Sequence, residues 1–344
     1  MTLLSVGLEL EVETVRRLNL PPALQMMFRA THDASTEAMA PTIDGQHIMY
    51  GSSSTRSETF GFEYVSRIIN VEDESLIRQL LMTIKAAGEP RHSTRGSIHI
   101  HIGVGHNLQM LKNIMKLWLF SEKFWYHLGG MGYKYRGWVN ESVYCRPMRA
   151  SQAVPHGDIW VRAIDVDSCL KATRLSEFWS AYGIPQDYRE KYHPSRYQGL
   201  NVYSLLLHET LEFRIFNKCL KPDWVMEVVN ICKAFTAAVM NPNSQFNLPE
   251  NDLFSKTKAM DIWDMLCPIL QETGIEFNPD IIREILLETE EPDIPNPDIK
   301  THLRRFDGHP IFRGHPRVSS PDESGFLDIH SEGAARYNLF KECN

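Results

Sequence analysis

Residues 96–105, GSIHIHIGVG, alternate apolar and polar positions, a pattern typical of a strand that buries one face. Ile98 and Ile100 lie on the apolar face of this predicted strand. His99 and His101 lie together on the opposite face. The pattern therefore predicts a strand with an aliphatic face turned to the core and an imidazole face turned away from it.

Two more segments predict strands whose polar positions are acidic. Residues 8–13, LELEVE, alternate strictly and place Glu9 and Glu11 on one face. Residues 60–66, FGFEYVS, are rich in aromatic and β-branched residues and carry the single acid Glu63. Both segments are expected to turn carboxylates toward whatever the polar face contacts.

A fourth strand-like segment carries an acid and a base at alternate positions. Residues 210–216, TLEFRIF, place Glu212 and Arg214 on one face. We predict that this strand pairs with a strand over residues 197–203. Glu212 and Arg214 have a simpler interpretation as an ion pair, just as an alternating Glu/Leu strand can be a solvated edge.

Helical spacing of apolar residues separates these strands, which predicts an α+β fold. The helices end at Gly and Pro positions or begin at capping residues such as Asn107. Residues 30–57 are rich in Thr, Ser, Asp and Gly and are expected to be irregular. The predicted helices cover residues 74–87, 107–127, 222–240, 256–271 and 279–289.

If the four polar strands are neighbours in one sheet, their polar faces gather at least four carboxylates, two imidazoles and a guanidinium. Divalent cations normally neutralise so many acids. A donor set of mostly oxygen with some imidazole favours Mg²⁺ or Mn²⁺ over Zn²⁺. Such a site suits a polyphosphate substrate, although the chain has no Walker-type loop. A cupin-type centre also uses His-x-His, but glycines stand here where its glutamate is expected.

Composition excludes several classes of protein. The chain has 344 residues and a formal charge of −7, with no basic block to favour nucleic acid. Six scattered cysteines indicate neither a zinc knuckle nor a disulfide framework. We find no signal peptide and no apolar stretch of about 20 residues, so a cytoplasmic location is expected. A Pro-spaced segment predicts a domain over residues 1–290 and an extension over residues 291–344.

The ordered set of motifs resembles the amidoligases, a family related to glutamine synthetase and glutamate–cysteine ligase and often encoded by phages. Two positions depart from the family pattern: Arg67 stands where proline is usual, and Ala34 where glycine is common. The resembling segments are residues 7–11 (GLELE), 33–35 (DAS), 61–66 (GFEYVS), 98–103 (IHIHIG), 199–201 (GLN) and 211–214 (LEFR).

The resemblance implies a curved, mainly antiparallel sheet with helices on its outer face, like the catalytic domain of glutamine synthetase. It implies that ATP phosphorylates a carboxylate and that an amine then displaces phosphate to form an amide. The implied cofactors are ATP and Mg²⁺ or Mn²⁺. The implied substrates are a small-molecule or peptide carboxylate and an amine, with residues 129–155 forming the loop that selects the acceptor.

The same resemblance assigns roles to individual residues. It makes His99 the imidazole ligand of the metal and places His101 near the ATP phosphates. Arg214 would bind phosphate or the acyl phosphate, and Arg196 and Asn201 would bind the nucleotide. Glu212 would take part in catalysis as well as metal binding. The four carboxylate ligands of the metal would be Glu9, Glu11, Glu63 and Glu212.

Two alternatives stay open at this point. A phosphotransferase similar to the phosphagen kinases would use a related sheet to move phosphate to a guanidino group. A scaffold or virion-associated protein would keep the fold without the chemistry. The sequence gives no prediction of oligomeric state.

Overall fold

The structure is a computed structural model of the 344-residue chain. It describes those parts of the chain that form the sheet, its helices and their short connections. The motif at residues 33–35, most of the predicted acceptor loop and the extension at 291–344 lie outside the described residues. The described residues are 4–14, 18–32, 60–69, 74–87, 97–129, 148, 154–156, 159–161, 164–184, 193–196, 198–217, 221–244, 246 and 258–288.

An open, antiparallel, six-stranded sheet forms the centre of the described structure, and two short strands form a separate pair. The strands are β1 (Ser5–Thr14), β2 (Phe28–His32), β3 (Phe60–Ser66), β4 (Ser97–Gly103), β5 (Val154–His156), β6 (Ile159–Val161), β7 (Leu200–Asn201) and β8 (Thr210–Asn217). The order of strands in the large sheet is β2-β3-β1-β4-β8-β7. Strands β5 and β6 form the separate pair.

The four strands predicted to carry the polar face are neighbours in this sheet. Glu9 of β1 lies directly opposite His99 of β4, and His101 of β4 lies opposite Glu212 of β8. Residues directly opposite each other in an antiparallel pair project to the same face. The predicted gathering of carboxylates and imidazoles on one face of an α+β fold is therefore confirmed at the level of the backbone.

The other face of the sheet is apolar and is covered by helices. The alternate residues of β1 and β4 on this face, such as Leu10 and Ile100, are fully buried. The helices are α1 (Pro22–Met27), α2 (Glu74–Ala86), α3 (Leu108–Gly129), α4 (Val166–Lys171), α5 (Leu175–Ala181), α6 (Ser204–His208), α7 (Pro222–Met240), α8 (Ala259–Gln271) and α9 (Pro279–Glu288), with a 3₁₀ turn at Pro194–Arg196.

Helix α3 is buried over most of its surface because it packs between the sheet and the helices α4, α7, α8 and α9. Trp118 and Trp125 of this helix are fully buried and their rings stack. Both contact Phe213 of β8 and Phe235 of α7. Asn107 caps the start of α3, as predicted, by accepting a hydrogen bond from the backbone N–H of Met110. Rigid aromatic packing therefore supports the strand that carries Glu212.

An irregularity in the pairing of β4 with β8 decides which side chains of β8 reach the polar face. The register shifts between Ile98 and Ile100, so that β8 has one extra residue at this point. As a result, Ile215 and Phe216 are both buried, although they are consecutive. The bulge lets Arg214 share the polar side with Glu212 while Phe216 returns to the core against Trp125.

The structure corrects two local predictions. The strand expected over residues 197–203 is confined to Leu200–Asn201, because the chain then turns into α6 and the amide oxygen of Asn201 accepts the backbone N–H of Ser204. The segment expected to be irregular from residue 30 begins with strand β2, which the burial of Phe28 anchors at the sheet edge.

Within the described helices, none combines the length and apolar character required to cross a membrane.

Candidate functional site

Three side chains from the central strands β1, β4 and β8 converge on the polar face. Glu9, His101 and Glu212 each offer one ligand atom, and these atoms lie within 4.8 Å of one another. Nε2 of His101 is 3.4 Å from Glu9 Oε1 and 3.7 Å from Glu212 Oε1. This nitrogen is buried and has no hydrogen-bond partner among the described residues. A cation between the two carboxylates would be within reach of the lone pair of this nitrogen.

His99 lies beside this cluster but its ring is held differently. Its Nδ1 is 3.1 Å from Glu9 Oε2 and 3.8 Å from Glu212 Oε1. Its Nε2 is 3.0 Å from the hydroxyl of Ser97, and that hydroxyl also donates to Glu11 Oε2. Ser97 therefore links His99 to Glu11, while the other ring nitrogen of His99 contacts Glu9.

Glu212 is the most enclosed acid of the group, with a side chain only 5% exposed. Arg214 Nη1 donates to its Oε1 at 2.5 Å, and Asn201 Nδ2 donates to its Oε2 at 2.6 Å. Strand β8 places Arg214 two residues away on the same side, and strand β7 places Asn201 directly opposite. Both oxygens of Glu212 are thus oriented by charge-assisted hydrogen bonds.

A chain of hydroxyl and amide groups connects His101 back to Glu212. Nδ1 of His101 is 3.1 Å from Thr210 Oγ1, which is 2.8 Å from Ser204 Oγ. The backbone N–H of Ser204 donates to the side chain of Asn201 at 3.2 Å. Asn201 in turn binds Glu212. Supporting hydrogen bonds of this kind orient the ligands of metal sites.

The acids and the imidazoles of this group stabilise each other's charged forms. Burial tends to raise the pKa of Glu9, but the neighbouring imidazoles of His101 and His99 outweigh it and lower that pKa below its ordinary range. Burial acts the same way on Glu212, and the charges of Arg214 and the two histidines lower its pKa to about 2. Burial tends to lower the pKa of His101, yet the neighbouring carboxylates of Glu212 and Glu9 raise it. Both acids are therefore ionised at neutral pH.

The residues of the cluster are a fit for a divalent cation of the Mg²⁺ class. Two ionised carboxylates and one imidazole form an oxygen-rich donor set, which suits Mg²⁺ or Mn²⁺. Three protein ligands would leave positions for water and for phosphate oxygens. Glu9, His101 and Glu212 would hold such an ion, with His99 close to both acids.

A cavity of about 760 Å³ opens over the cluster. Its wall includes three arginines: Arg29 of the edge strand β2, Arg67 directly after β3, and Arg196 of the 3₁₀ turn that precedes β7. The acids Glu9, Glu63 and Glu212 lie between these arginines. A cavity of this size holds a ligand as large as a nucleotide.

The structure brings together some of the predicted site residues more closely than others. The cavity wall includes Glu9, Glu63, His101, Arg196, Asn201 and Glu212. Glu11, His99 and Arg214 are not part of that wall. Glu11 is bound by Ser97, His99 lies at its edge against Glu9, and Arg214 contacts Glu212. The individual roles assigned to all nine residues stay predictions.

Sequence reasoning missed four residues of the site, and two of them had a usable signal. Thr210 alternates with Glu212 and Arg214 along β8, so the period of two places it on the same face. Arg67 follows Glu63 and Val65 at the same spacing. Ser204 and Arg29 had no signal, because helix α6 and strand β2 were not predicted.

Similarity to a protein family extends over most of the described structure. Residues 3–236 match the family described as "Putative amidoligase enzyme". The chain belongs to this amidoligase family. The match covers strands β1 to β8 and most of helix α7, and therefore every member of the cluster in this amidoligase-family chain. The resemblance of the motifs to amidoligases is confirmed.

Other comparisons are more distant. The curated proteins contain no match to this amidoligase-family chain. Among solved structures, it is similar to a bifunctional glutathione synthetase from Pasteurella multocida, with 12% sequence identity and a TM-score of 0.36. The similarity covers 98% of this chain and 51% of that one, so this chain spans about half the length of that structure.

Proposed function

We propose that this protein is an ATP-dependent carboxylate–amine ligase that forms an amide through an acyl phosphate and releases ADP and phosphate. Membership of the amidoligase family supports an amide-forming reaction in general. The observation that carries the proposal is the convergence of Glu9, His101 and Glu212 inside a cavity large enough for a nucleotide. The glutamine synthetase-like subtype and the curvature of the sheet are parts of this proposal.

The proposed reaction has two steps. In the first step, an oxygen of the substrate carboxylate attacks the γ-phosphorus of ATP, the bond from that phosphorus to the β–γ bridging oxygen breaks, and ADP leaves. In the second step, the amine nitrogen attacks the acyl carbon and loses a proton. The bond from that carbon to the oxygen bridging it to phosphorus breaks, and phosphate leaves with the bridging oxygen. Both steps develop negative charge on phosphoryl oxygens, which fixed positive charge stabilises.

Mg²⁺ or Mn²⁺ would neutralise the phosphate oxygens and hold them in line for transfer. Glu9, His101 and Glu212 are our candidates for its ligands. Glu63 lies opposite Glu11, and His99 lies opposite Glu9, on the same face of the sheet. We propose that His101 takes the ligand position that the family resemblance assigns to His99. We propose that Glu11 acts on the site through Ser97 and His99.

The arginines have different proposed roles. Arg214 keeps Glu212 ionised and oriented through a 2.5 Å contact. Burial tends to lower the pKa of Arg214, but the charges of Glu212, Glu11 and Glu9 outweigh it and raise that pKa above its ordinary value. Direct contact of Arg214 with phosphate is the role that the family resemblance gives it. Arg196 lies on the cavity wall, where it can bind a nucleotide phosphate. Asn201 holds Glu212.

A hydroxylamine assay tests the proposal whichever amine is the natural substrate. Hydroxylamine replaces the amine and captures an acyl phosphate as a hydroxamate, which is coloured in the presence of ferric iron. We expect ATP, Mg²⁺, hydroxylamine and a pool of amino acids, carboxylates and peptides to yield hydroxamate and equal amounts of ADP and phosphate. Glu212→Gln should lose this activity, while Glu284→Gln, on the exposed side of α9, should keep it.

The products separate this proposal from its alternatives. Release of AMP and pyrophosphate would contradict transfer of the γ-phosphoryl group. A stable phosphorylated guanidino product with no hydroxamate would indicate a phosphotransferase. If calorimetry showed no binding of Mg–ATP, a non-catalytic scaffold would be favoured. A cytoplasmic location and the absence of a nucleic-acid partner stay predictions from the sequence.

A further inference from the structure

Arg29 lies in the same row of the sheet as the candidate ligand Glu9. Arg29 of β2 is directly opposite Val65 of β3, and Val65 is directly opposite Glu9 of β1. The three side chains therefore project to the same face. Two spacings between neighbouring strands separate Arg29 from Glu9, which is about 10 Å between their backbones.

Arg67 joins Arg29 at this end of the cavity. It follows Val65 by two residues, and its backbone N–H donates to the carbonyl of Met27 at 2.8 Å, which extends the pairing of β2 with β3. Both arginines are exposed and both line the cavity. Arg29 of β2 and Arg67, which directly follows β3, thus line the same end of the cavity as Val65.

The residues between these arginines and the candidate metal cluster have short side chains or none. Gly7 of β1 lies directly opposite His101 and lines the cavity. A Cβ atom added to Gly7 would lie only 3.3 Å from Cβ of His101. The bare backbone at Gly7 and the short side chain of Val65 leave room for a ligand to extend from the cluster toward Arg29 and Arg67.

The two ends of this cavity differ in charge, so each end suits a different chemical group of a bound ligand. Carboxylates and an imidazole form the end near Glu9, where a cation and the groups bound to it would lie. Arg29 and Arg67 line the other end, and the planar donors of a guanidinium group match carboxylate and phosphate oxygens. A ligand that reacts at the cluster and carries a second anionic group within about 10 Å satisfies both ends.

We propose that Arg29 and Arg67 form an oxyanion subsite that binds a carboxylate or phosphate group of a substrate reacting at the cluster. The identity of that substrate, an acyl substrate with a second carboxylate or the nucleotide itself, rests on the proposed function. The subsite itself rests on the placement of the two arginines in the cavity.

Calorimetry with three probes tests the subsite and distinguishes its two sources of oxyanion. Mg–ATP supplies phosphate, glutarate supplies two carboxylates, and valerate is a monocarboxylate of the same length. The variant is Arg29→Gln/Arg67→Gln, and urea unfolding checks that it is folded. Arg78→Gln is the matched control, because Arg78 pairs with Glu74 and Asp223 on α2 and α7, outside the cavity wall.

We expect the double variant to lose at least about tenfold in affinity for one probe, as loss of charged hydrogen bonds implies. Loss confined to glutarate, with valerate unaffected, assigns the subsite to an acyl substrate. Loss confined to Mg–ATP assigns it to the nucleotide. The subsite would be overturned if the double variant bound both Mg–ATP and glutarate within twofold of the parent protein. It would also be overturned if the parent protein bound neither Mg–ATP nor glutarate. A parent that binds glutarate through these arginines but never produces ADP would reject the ligase and keep the subsite.

Discussion

Thr210 places its hydroxyl oxygen 3.1 Å from Nδ1 of His101, while Nε2 of the same ring is 3.4 Å from Glu9. A neutral imidazole carries one N–H, and the acceptor on one nitrogen decides which tautomer is present. If Nδ1–H donates to Thr210, the lone pair of Nε2 is available to a cation. The contact with Thr210 therefore prepares His101 to act as a ligand.

Replacing Thr210 by valine should weaken divalent-cation binding by about 10- to 100-fold, the range found when a hydrogen bond supporting a metal ligand is lost. Electron paramagnetic resonance of Mn²⁺ measures the affinity directly. Thr210→Ser keeps the hydroxyl and should bind within a few-fold of the parent. Thr83→Val removes an exposed helix hydroxyl elsewhere and serves as the control. Equal affinities for all four proteins would show that Thr210 does not position His101.

Glu212 and Arg214 should be coupled in stability as well as in function. Both side chains are at most 10% exposed and lie 2.5 Å apart, so Glu212→Gln leaves a buried guanidinium without its nearest carboxylate. We expect a loss of about 3 kcal/mol in the free energy of unfolding. The double variant Glu212→Gln/Arg214→Met should recover most of it while remaining inactive. Urea unfolding of both variants and the parent checks this, and strict additivity of the two changes would contradict it.

The sequence was sufficient to predict the face but not the contacts on it. Alternation in β1 and β4 required Glu9, His99 and His101 to share a polar side, and the structure agrees. The sequence alone could not predict which histidine leaves a nitrogen free to face the acids. That depends on two contacts: Ser97 contacts Nε2 of His99, and Thr210 contacts Nδ1 of His101. Those contacts are set by strand register, and register is a property of pairs of strands rather than of one strand.

Distant pairing explains the other differences. Strand β2 is short and has only one large apolar residue, Phe28, and it forms because β3 offers an unpaired edge. The bulge opposite Ile98 and Ile100 is invisible in a strict period of two, yet it decides that Phe216 turns to the core. Helices α2, α7 and α9 were predicted within about one residue because their signals, apolar spacing and terminal Pro or Gly, are local.

Gly129 at the end of α3 should tolerate no side chain. A Cβ atom there would lie 2.2 Å from the backbone oxygen of Ile215, which the bulged strand holds in place. Gly129→Ala should therefore lower the free energy of unfolding by about 1–3 kcal/mol. Gly105→Ala is the matched control, since no atom lies within 4 Å of its added Cβ. Unfolding in urea should separate the two variants; indistinguishable midpoints would contradict this packing.

Two buried cysteines should be inert in the folded protein. Burial raises the pKa of the Cys169 thiol to about 12 and raises that of Cys232 well above its ordinary value. Because only the thiolate reacts quickly, both should resist iodoacetamide at pH 8 and become labelled in urea. Mass spectrometry of the peptides measures each site separately. Rapid labelling of either cysteine without denaturant would show that its part of the core is open.

The most direct test of the central claim is the position of a bound cation. A crystal soaked with Mn²⁺ and a non-hydrolysable ATP analogue would be measured at the manganese absorption edge. We expect an anomalous peak within about 2.5 Å of ligand atoms of Glu9, His101 and Glu212, with phosphate oxygens completing its coordination. A crystal that contains the analogue but has no peak there, or has its peak elsewhere, would contradict the account.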